Sequence, residues 1–268
     1  MTTIQIYLPD KQALAFYREK ATAEFWDKHW ETDTLKETLR GAKDDGLFVP
    51  IVKRYLPANS IVLEGGCGQG YIVQALQYQG YKAIGVDFAS ETIKNIKEAL
   101  PELDVRLGDV RSLDLPDGSL DGYVSGGVIE HFWEGYEAII KEMYRTLRVG
   151  GLLFISFPYM SPLRKSKAAW HIYPFQNSEA LNDHQEQFYQ FALPTRSVLA
   201  DMSSLGFELR ERFAFGGLKG FKDEVALAKP LLQDIYDGKR WRRWQKPLER
   251  LFTIFAAHCD LLVLQKKK

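Results

Sequence analysis

The sequence predicts an α/β protein built on a doubly wound, mostly parallel seven-stranded sheet with an antiparallel edge strand near the C-terminus. From Ser60 onwards, short apolar segments alternate with helical patterns, which is typical of βαβ units and a parallel sheet. Segments such as 61–63 and 152–157 are short and apolar, as burial under helices on both faces requires. Two further strand patterns after Gly206 predict a hairpin-like end to the sheet.

The elements follow one another along the chain in a regular order. Strands are predicted at 61–63, 83–87, 105–109, 120–125, 152–157, 207–215 and 260–264, and helices at 71–78, 90–100, 136–147, 195–205 and 240–257. Ser90 is the expected N-cap of its helix. The first sixty residues show helical spacing and no strand-like alternation. We therefore predict a helical segment at 1–45 and one large α/β domain at 46–268.

Composition and charge exclude several classes of protein. The 268 residues are 46% hydrophobic and 26% charged, and 35 Lys and Arg balance 35 Asp and Glu, which argues against a general nucleic-acid binder. Two cysteines give neither zinc spacing nor a disulfide framework. No signal peptide is recognised, and the apolar stretch 251–264 is too short to span a bilayer. We expect a cytoplasmic protein without a metal.

A glycine-rich turn, EGGCGQG, follows the first strand of the predicted sheet. Gly66, Gly68 and Gly70 allow a tight turn and close approach of a ligand, and the following helix presents its N-terminus there. The G-x-G-x-G spacing differs from the G-x-G-x-x-G of dinucleotide sites. Tight packing alone is the structural alternative.

Carboxylates stand at three adjacent strand ends, namely Glu64, Asp87 and Asp109. Ligands of open parallel sheets bind at the carboxyl ends of strands, and an ionised carboxylate can accept the hydroxyls of a ribose. Three carboxylates suit a ligand with a positive centre and no phosphate. Taken singly, Asp87 could instead cap a helix, and Asp109 could cap a turn.

The ordered motifs resemble those of class I S-adenosylmethionine-dependent methyltransferases. The matching segments are VLEGGCGQG, GVDFAS, LGDVRSLDLPDGSLDGYVSGGVIEHF and RTLRVGGLLFISFP. The resemblance is good over 60–157 and loose over the C-terminal part. It implies a Rossmann-like methyltransferase fold with S-adenosylmethionine as cofactor, and we assign the methyltransferase domain to 46–268. The aromatic F-W-D-K-H-W stretch makes 1–45 a candidate helical lid, with Trp26 or Trp30 over the cofactor, and ordinary helix packing is the alternative.

The resemblance also implies which residues bind the cofactor. They are Glu64, Gly65, Gly66, Gly68, Asp87, Phe88, Asp109, Val110, Gly127 and Trp30. The Glu64 to Gly68 turn would surround the methionine moiety and the sulfonium, and Asp87 would hold the ribose. Asp109 and the Val110 N–H would meet the adenine, with Phe88 beside it. Trp30 would come from the lid.

His131 is the candidate general base, because the ordinary pKa of histidine lies near neutrality. A structural or cofactor-packing role for His131 is at least as consistent with the pattern. Glu130 beside it could orient the ring or point into solvent. His184 is a second candidate base.

The segment 159–194 interrupts the alternation and is predicted to cover the acceptor, because inserted loops carry specificity. Its candidate substrate residues are Tyr159, Trp170, His171 and Tyr173, each of which could instead anchor the segment to the core. We predict methyl transfer to a small-molecule acceptor by in-line displacement, with no obligate protein partner evident.

The basic segment KRWRRWQK at 239–246 opens a helix at 239–257 and leaves alternatives open. Its apolar face should pack on the sheet while the arginines remain solvated. It could instead lie on a membrane surface and reach a lipid acceptor, or contact RNA, although neither partner is favoured. A non-catalytic S-adenosylmethionine-binding protein is a further alternative.

Overall fold

The computed structural model describes residues 3–31, 34–239 and 241–268, with the side chains of 182–184 left undescribed. The strands are β1 (Ile4–Leu8), β2 (Ala13–Tyr17), β3 (Ile61–Gly65), β4 (Lys82–Asp87), β5 (Val105–Leu107), β6 (Leu120–Gly126), β7 (Leu147–Pro158), β8 (Phe188–Ala192), β9 (Phe207–Phe215) and β10 (Cys259–Lys266).

The helices surround these strands. They are α1 (Ala23–Trp30), α2 (Leu35–Gly41), α3 (Phe48–Tyr55), α4 (Tyr71–Tyr78), α5 (Ser90–Ala99), α6 (Glu137–Thr146), α7 (Pro162–Ala169), α8 (Thr195–Leu205), α9 (Gly217–Glu224), α10 (Lys229–Tyr236) and α11 (Arg242–Ala256), with 3-10 turns at Ile129–His131, Ser178–Gln187 and Ala226–Ala228.

The large sheet has the strand order β5-β4-β3-β6-β7-β10-β9. All its strands run parallel except β10, which is antiparallel to both β7 and β9. The predicted fold class is confirmed, with the antiparallel strand lying between β7 and the outermost strand β9. Apolar clusters cover both faces of this sheet, which explains why its central strands β3, β6 and β7 are mostly buried and apolar.

A second sheet has the order β1-β2-β8 and is antiparallel throughout. The prediction of helices across the first sixty residues is therefore wrong for residues 4–17. All five residues of β2 are buried, so the strand shows no polar–apolar alternation. Its partner β8 lies in the predicted insert, about 170 residues further along the chain, and no local pattern reveals that pairing.

The start of α5 also differs from the prediction. Ala89, and not Ser90, occupies the N-cap position. The Thr92 N–H and hydroxyl both donate to Asp27 Oδ1, at 2.7 and 2.8 Å. A carboxylate at a helix N-terminus satisfies a free N–H group and the helix dipole. Asp27 therefore ties α1 to the large sheet through α5.

Helices α9, α10 and α11 form an insertion between β9 and β10, and only part of α11 packs as predicted. Phe252 and Ala256 are buried, whereas Trp241, Trp244 and Leu251 are exposed. The prediction that the whole aromatic face packs on the sheet is therefore wrong, because α11 packs chiefly against α9. Arg240 of the same segment lies outside the described residues. In the described chain, no helix is long and apolar enough to cross a membrane.

Candidate functional site

A cavity of about 360 Å³ opens at the carboxyl ends of β3, β4 and β6, within the size range of small-ligand sites. The predicted residues that line it are Trp30, Gly66, Gly68, Asp87, Phe88, Asp109, Val110, Gly127 and His131. Predicted cofactor residues Glu64 and Gly65 lie outside this lining. The opposite wall is formed by the N-terminal segment, the end of the Ile129–His131 turn and β8.

The glycine turn is shaped by backbone conformations that favour glycine. Gly66 and Gly68 have φ of +77° and +47°, which a side chain would strain. The Gly66 and Cys67 N–H groups both donate to Val86 O in β4. A Cβ at Gly68 would lie 3.0 Å from Cε2 of the Trp30 indole. Trp30 therefore packs directly on the turn.

Asp87, at the end of β4, holds the turn from its other side. Its Oδ2 accepts the Gly68 N–H at 2.8 Å, and its Oδ1 accepts the Ala89 N–H at 3.0 Å. Burial raises the pKa of Asp87 above its ordinary value, although these hydrogen bonds oppose the shift. No ion pair is found for this carboxylate within the described chain. It can therefore accept further hydroxyls or a nearby positive centre.

Glu64 is buried at the end of β3 on the other side of the turn. Burial raises the pKa of its carboxyl well above the ordinary value, while a hydrogen bond from the Val73 backbone opposes the shift. Its Oε2 has no hydrogen-bond partner among the described atoms. A buried unpartnered carboxylate oxygen has a strong tendency to accept a donor.

Gly65 has a packing role in this structure. A Cβ at this position would overlap the hydroxyl of Tyr123 in β6. The tight-packing interpretation of the glycine-rich turn therefore accounts for Gly65, while the positive φ angles account for Gly66 and Gly68.

Asp109 and its neighbours form the far end of the cavity beyond β5. The Arg111 guanidinium donates to both carboxylate oxygens of Asp109, and this hydrogen bonding lowers the pKa of Asp109. Asp109 also accepts the backbone N–H of Arg111 through Oδ1. It therefore caps a turn, which is the alternative role that the sequence allowed for this residue. Phe88 is 43% exposed and lines the cavity.

Helix α1 brings a group of aromatic rings to the cavity. Trp26 stacks on Trp30 with ring centroids 5.8 Å apart, and it meets the His131 ring edge-on at 5.2 Å. The Gln69 side chain donates to the Trp30 backbone carbonyl at 2.8 Å. These contacts join α1 to the glycine turn and to the strand end after β6.

The His131 ring is oriented by a hydrogen bond to the backbone of β8. Its Nδ1 lies 2.7 Å from Tyr189 O in β8. A carbonyl oxygen only accepts, so Nδ1 carries the proton and Nε2 is the basic nitrogen. Burial lowers the pKa of His131 to about 4, although the hydrogen bond to Tyr189 opposes this shift. The ring is therefore neutral at pH 7.

Glu130 is 2% exposed, which overturns the suggestion that it points into solvent. Burial raises the pKa of its carboxyl to about 8, and its Oε2 lacks a hydrogen-bond partner among the described atoms. The orienting hydrogen bond of His131 comes from Tyr189 and not from Glu130.

The four predicted substrate residues lie away from this cavity. Trp170 is 75% exposed, and Tyr173 is buried with its hydroxyl donating to Glu224. His171 follows Trp170 with a positive φ of 55°, and Tyr159 continues β7 beneath Arg212. None of the four is among the described lining residues. The side chain of the candidate base His184 lies outside the described residues.

Several lining residues escaped the sequence analysis, notably Lys20, Thr22, Trp133 and Phe188. Trp133 stacks on Phe191 of β8 and meets Phe188 edge-on. The one sequence signal was the aromatic content of the segment after His131. Their convergence depends on the pairing of β2 with β8, which joins segments far apart in the chain.

Metal binding has no visible basis in this site. Across the described ranges, no group of three or more His, Cys, Asp or Glu side chains could hold a metal ion.

Comparison with known proteins places the central part of the chain in one family. Residues 63–155 match the family described as a methyltransferase domain. A relative from Mycolicibacterium smegmatis, named a probable S-adenosylmethionine-dependent methyltransferase, is 37% identical over 36% of this chain and 37% of its own length. A trans-aconitate 2-methyltransferase from Azoarcus is 26% identical over 54% of this chain and 58% of its own length.

The fold is shared with solved structures at low identity. A structure described as a SAM-dependent methyltransferase from Methanosarcina mazei superposes with a TM-score of 0.53 and 17% identity, covering 81% of this chain and 97% of the other. The chain spans less than two thirds of the length of the curated relatives that it matches. In its matched segment, its motifs and its sheet order, this chain is similar to class I S-adenosylmethionine-dependent methyltransferases.

Proposed function

We propose that this protein binds S-adenosylmethionine in the cavity and transfers its methyl group to a small-molecule acceptor. The observation that carries the proposal is the junction of the glycine turn with Asp87, which has acceptor capacity and no cationic partner among the described residues. The N-terminal lid, the domain bounds and the cytoplasmic location remain predictions.

The residues present fit this cofactor. The Glu64 carboxylate, which precedes the turn glycines and lies outside the cavity lining, has a buried, unpartnered oxygen that suits a ligand ammonium group reaching past the turn. Asp87 is available to ribose hydroxyls, and Phe88 and Val110 border the space where a planar base fits. The positive φ angles of Gly66 and Gly68 keep side chains out of the approach to the turn.

S-adenosylmethionine supplies an electrophilic methyl group on a sulfonium. Gly66, Gly68 and Asp87 would hold the cofactor in the cavity, and the electron pair of the methyl–sulfur bond would stay on sulfur as a thioether once the methyl group had gone to the acceptor. The protein contributes by holding the acceptor in line and by excluding water. Alignment of this kind lowers barriers by about 7–11 kcal/mol in favourable cases.

The acceptor side of the cavity is mostly aromatic. Trp26, Phe132, Trp133 and Phe188 border it, and Lys20 stands at the rim in an ion pair with Glu186. This lining suits an acceptor with a flat apolar part. We leave Tyr159, Trp170, His171 and Tyr173 out of the proposed acceptor site because they lie elsewhere.

His131 contributes a neutral Nε2 to the same wall. Where the acceptor is a hydroxyl or an amine, this nitrogen can orient it and receive the proton that it loses. The low pKa of His131 makes it a weak base, so proton transfer would follow the formation of the new bond closely. Orientation is therefore the larger contribution that we assign to His131.

Calorimetry with S-adenosylhomocysteine tests cofactor binding. The wild-type protein should release or absorb heat with a 1:1 stoichiometry, and Trp30→Ala should weaken the affinity about tenfold or more, because it removes an aromatic side chain that packs on the glycine turn. Trp170→Ala, which removes an exposed tryptophan outside the cavity, is the matched control and should bind like wild type. No heat at millimolar ligand would refute the proposal.

Methyl transfer needs a separate assay. Formation of S-adenosylhomocysteine is measured with a panel of small aromatic and carboxylic acceptors, and product mass confirms the added methyl group. Binding without transfer to any acceptor class would favour the non-catalytic alternative. Transfer only to lipid or RNA acceptors would favour the corresponding alternatives.

A further inference from the structure

The connection between β9 and β10 is much longer than the sheet requires. These strands are antiparallel neighbours, and two residues can join such a pair. Here β9 ends at Phe215, β10 begins at Cys259, and three helices fill the connection. Strand pairing does not require this insertion, and the insertion adds a helical surface to the protein.

The inner face of α11 is fully engaged with α9. A Cβ at Gly220 would overlap the Ala256 carbonyl oxygen, and Phe252 stacks on Phe221 with centroids 4.2 Å apart. Glu249 accepts the N–H groups of Gly217 and Leu218 at the start of α9. Glu249 is the one acidic residue of α11, and it is turned inward. The outer face of the helix therefore carries no negative charge of its own.

That outer face combines cations with large apolar side chains. Arg243, Lys246 and Arg250 are exposed, and no ion pair joins them to any described carboxylate. Trp244, Leu251 and Ile254 are exposed at 49%, 52% and 76% on the same turns of the helix. We call these six residues the α11 outer face.

Exposed apolar side chains continue on the neighbouring parts of the insertion. Leu227, just before α10, is 98% exposed, and Leu231 and Trp241 are each more than half exposed. Isolated exposed apolar residues are ordinary, whereas a contiguous group of them marks an interaction surface.

We propose that the α11 outer face docks this protein on an anionic phospholipid bilayer. Amphipathic helices that lie in the membrane interface combine Lys and Arg with Trp, Leu or Ile. The cations complement the anionic headgroups, and the apolar side chains enter the boundary between headgroups and acyl chains. An RNA partner would engage the cations and tryptophans, but Leu251 and Ile254 offer no flat ring on which a base can stack, so the bilayer accounts for more of the surface.

The insertion and the cavity both lie at the carboxyl ends of the parallel strands of the large sheet. Helix α9 follows the carboxyl end of β9, and α11 leads into Cys259, which pairs with Pro158 at the carboxyl end of β7. The cavity opens at the carboxyl ends of β3, β4 and β6. The insertion is therefore attached at the same end of the strands as the cavity. The docking proposal does not depend on the identity of the methyl acceptor.

Vesicle co-sedimentation tests the proposal with the full chain. The probes are vesicles of phosphatidylcholine alone and of phosphatidylcholine with phosphatidylglycerol. We expect the protein to pellet with the anionic vesicles, to be released by salt, and to show a blue shift of tryptophan emission on binding. Each cation near an anionic surface strengthens partitioning about fivefold, so the triple variant R243E/K246E/R250E should bind at least about 100-fold more weakly.

Two further variants separate the effect of net charge from the effect of apolar contact with the bilayer. K82E/K97E/K141E changes the net charge by the same amount at exposed lysines elsewhere and should pellet like wild type. W244S/L251S/I254S keeps the cations and should lose the fluorescence shift and bind at least about tenfold more weakly. Circular dichroism shows that each variant is folded whether or not the protein binds S-adenosylhomocysteine, so a failure of the proposed function leaves the vesicle test intact.

Three results would overturn the proposal. The first is absence of pelleting of wild type with anionic vesicles at low salt. The second is equal loss of binding in the two charge variants, which would mean that net charge alone drives it. The third is evidence for another occupant of the α11 outer face when wild type does not bind vesicles. That evidence would be tight RNA binding, or a dimer in sedimentation velocity, that is lost in R243E/K246E/R250E or in W244S/L251S/I254S.

Discussion

Replacing Glu130 with glutamine isolates the effect of one buried carboxyl on stability. Burial raises the pKa of Glu130 to about 8 in the folded protein, against an ordinary value of 4.5. The folded state therefore holds a proton that the unfolded state releases. The stability from this group is complete below pH 4.5 and is lost progressively as the pH rises to about 8.

The loss of stability due to Glu130 depends on the difference between its pKa values in the folded and unfolded states. Each pH unit between the two pKa values costs about 1.4 kcal/mol, so wild type should lose about 3–4 kcal/mol between pH 5 and pH 8 because of Glu130. Glutamine fits the same space and does not ionise. Glu130→Gln should match wild type at pH 5 and exceed its free energy of unfolding at pH 8.

Urea denaturation at pH 5, 6, 7 and 8 measures this difference. Other buried acids, such as Glu64 and Asp87, titrate in both proteins, and their effects cancel in the comparison. Glu137→Gln, at an exposed position at the start of α6, is the control and should leave the pH dependence of wild type unchanged. A constant difference between Glu130→Gln and wild type, or one that shrinks as the pH rises, would contradict the argument.

Three further predictions concern the site itself. Asp87→Asn should weaken S-adenosylhomocysteine binding about tenfold or more by calorimetry, because one of its two acceptor oxygens becomes an NH₂ group; exposed Asp114→Asn should bind like wild type. The pKa of His131 is about 4, so any contribution of its neutral ring to kcat/KM should be constant from pH 6 to 8. A fall centred near pH 6.5 that is absent from His131→Gln would count against this environment. Burial raises the pKa of the Cys67 thiol well above its ordinary value and that of Cys259 to about 12. Both should react with Ellman's reagent at pH 8 far more slowly in the native protein than in urea, and rapid native labelling of Cys67 would contradict its burial.

The element bounds that are confirmed depend on patterns within short stretches of sequence. Helix α4 and strand β9 have the bounds that the sequence predicts, at Tyr71–Tyr78 and Phe207–Phe215. Helix α8 likewise runs from Thr195 to Leu205. In each case a periodic apolar pattern ends at a glycine or a charged turn, and these signals act within a few residues. Strand β7 begins at Leu147, five residues before the predicted start at Leu152. Leu147 already pairs with Leu120 of β6, so the strand continues through Gly150 and Gly151, where the sequence predicted a turn.

The failures concern contacts between distant segments. The insert was expected to supply Trp170 and Tyr173 to the site, whereas it supplies Phe188 through β8. Tyr173 is held instead by Glu224, some fifty residues along the chain. An aromatic residue in a loop has no local signal that distinguishes a cavity wall from an anchor, because the partner decides which it becomes.

The sequence by itself determined the strand–turn–carboxylate pattern that ends in Gly68 and Asp87, because positive φ angles and strand ends are local requirements. Only the tertiary structure decided what closes over that pattern. Pairing of β2 with β8 builds the cap, packing of Trp30 on Gly68 joins the cap to the turn, and the Tyr189 carbonyl selects the tautomer of His131. These outcomes depend on burial and on hydrogen-bond partners from segments distant in the chain, and such information is absent from any short stretch of sequence.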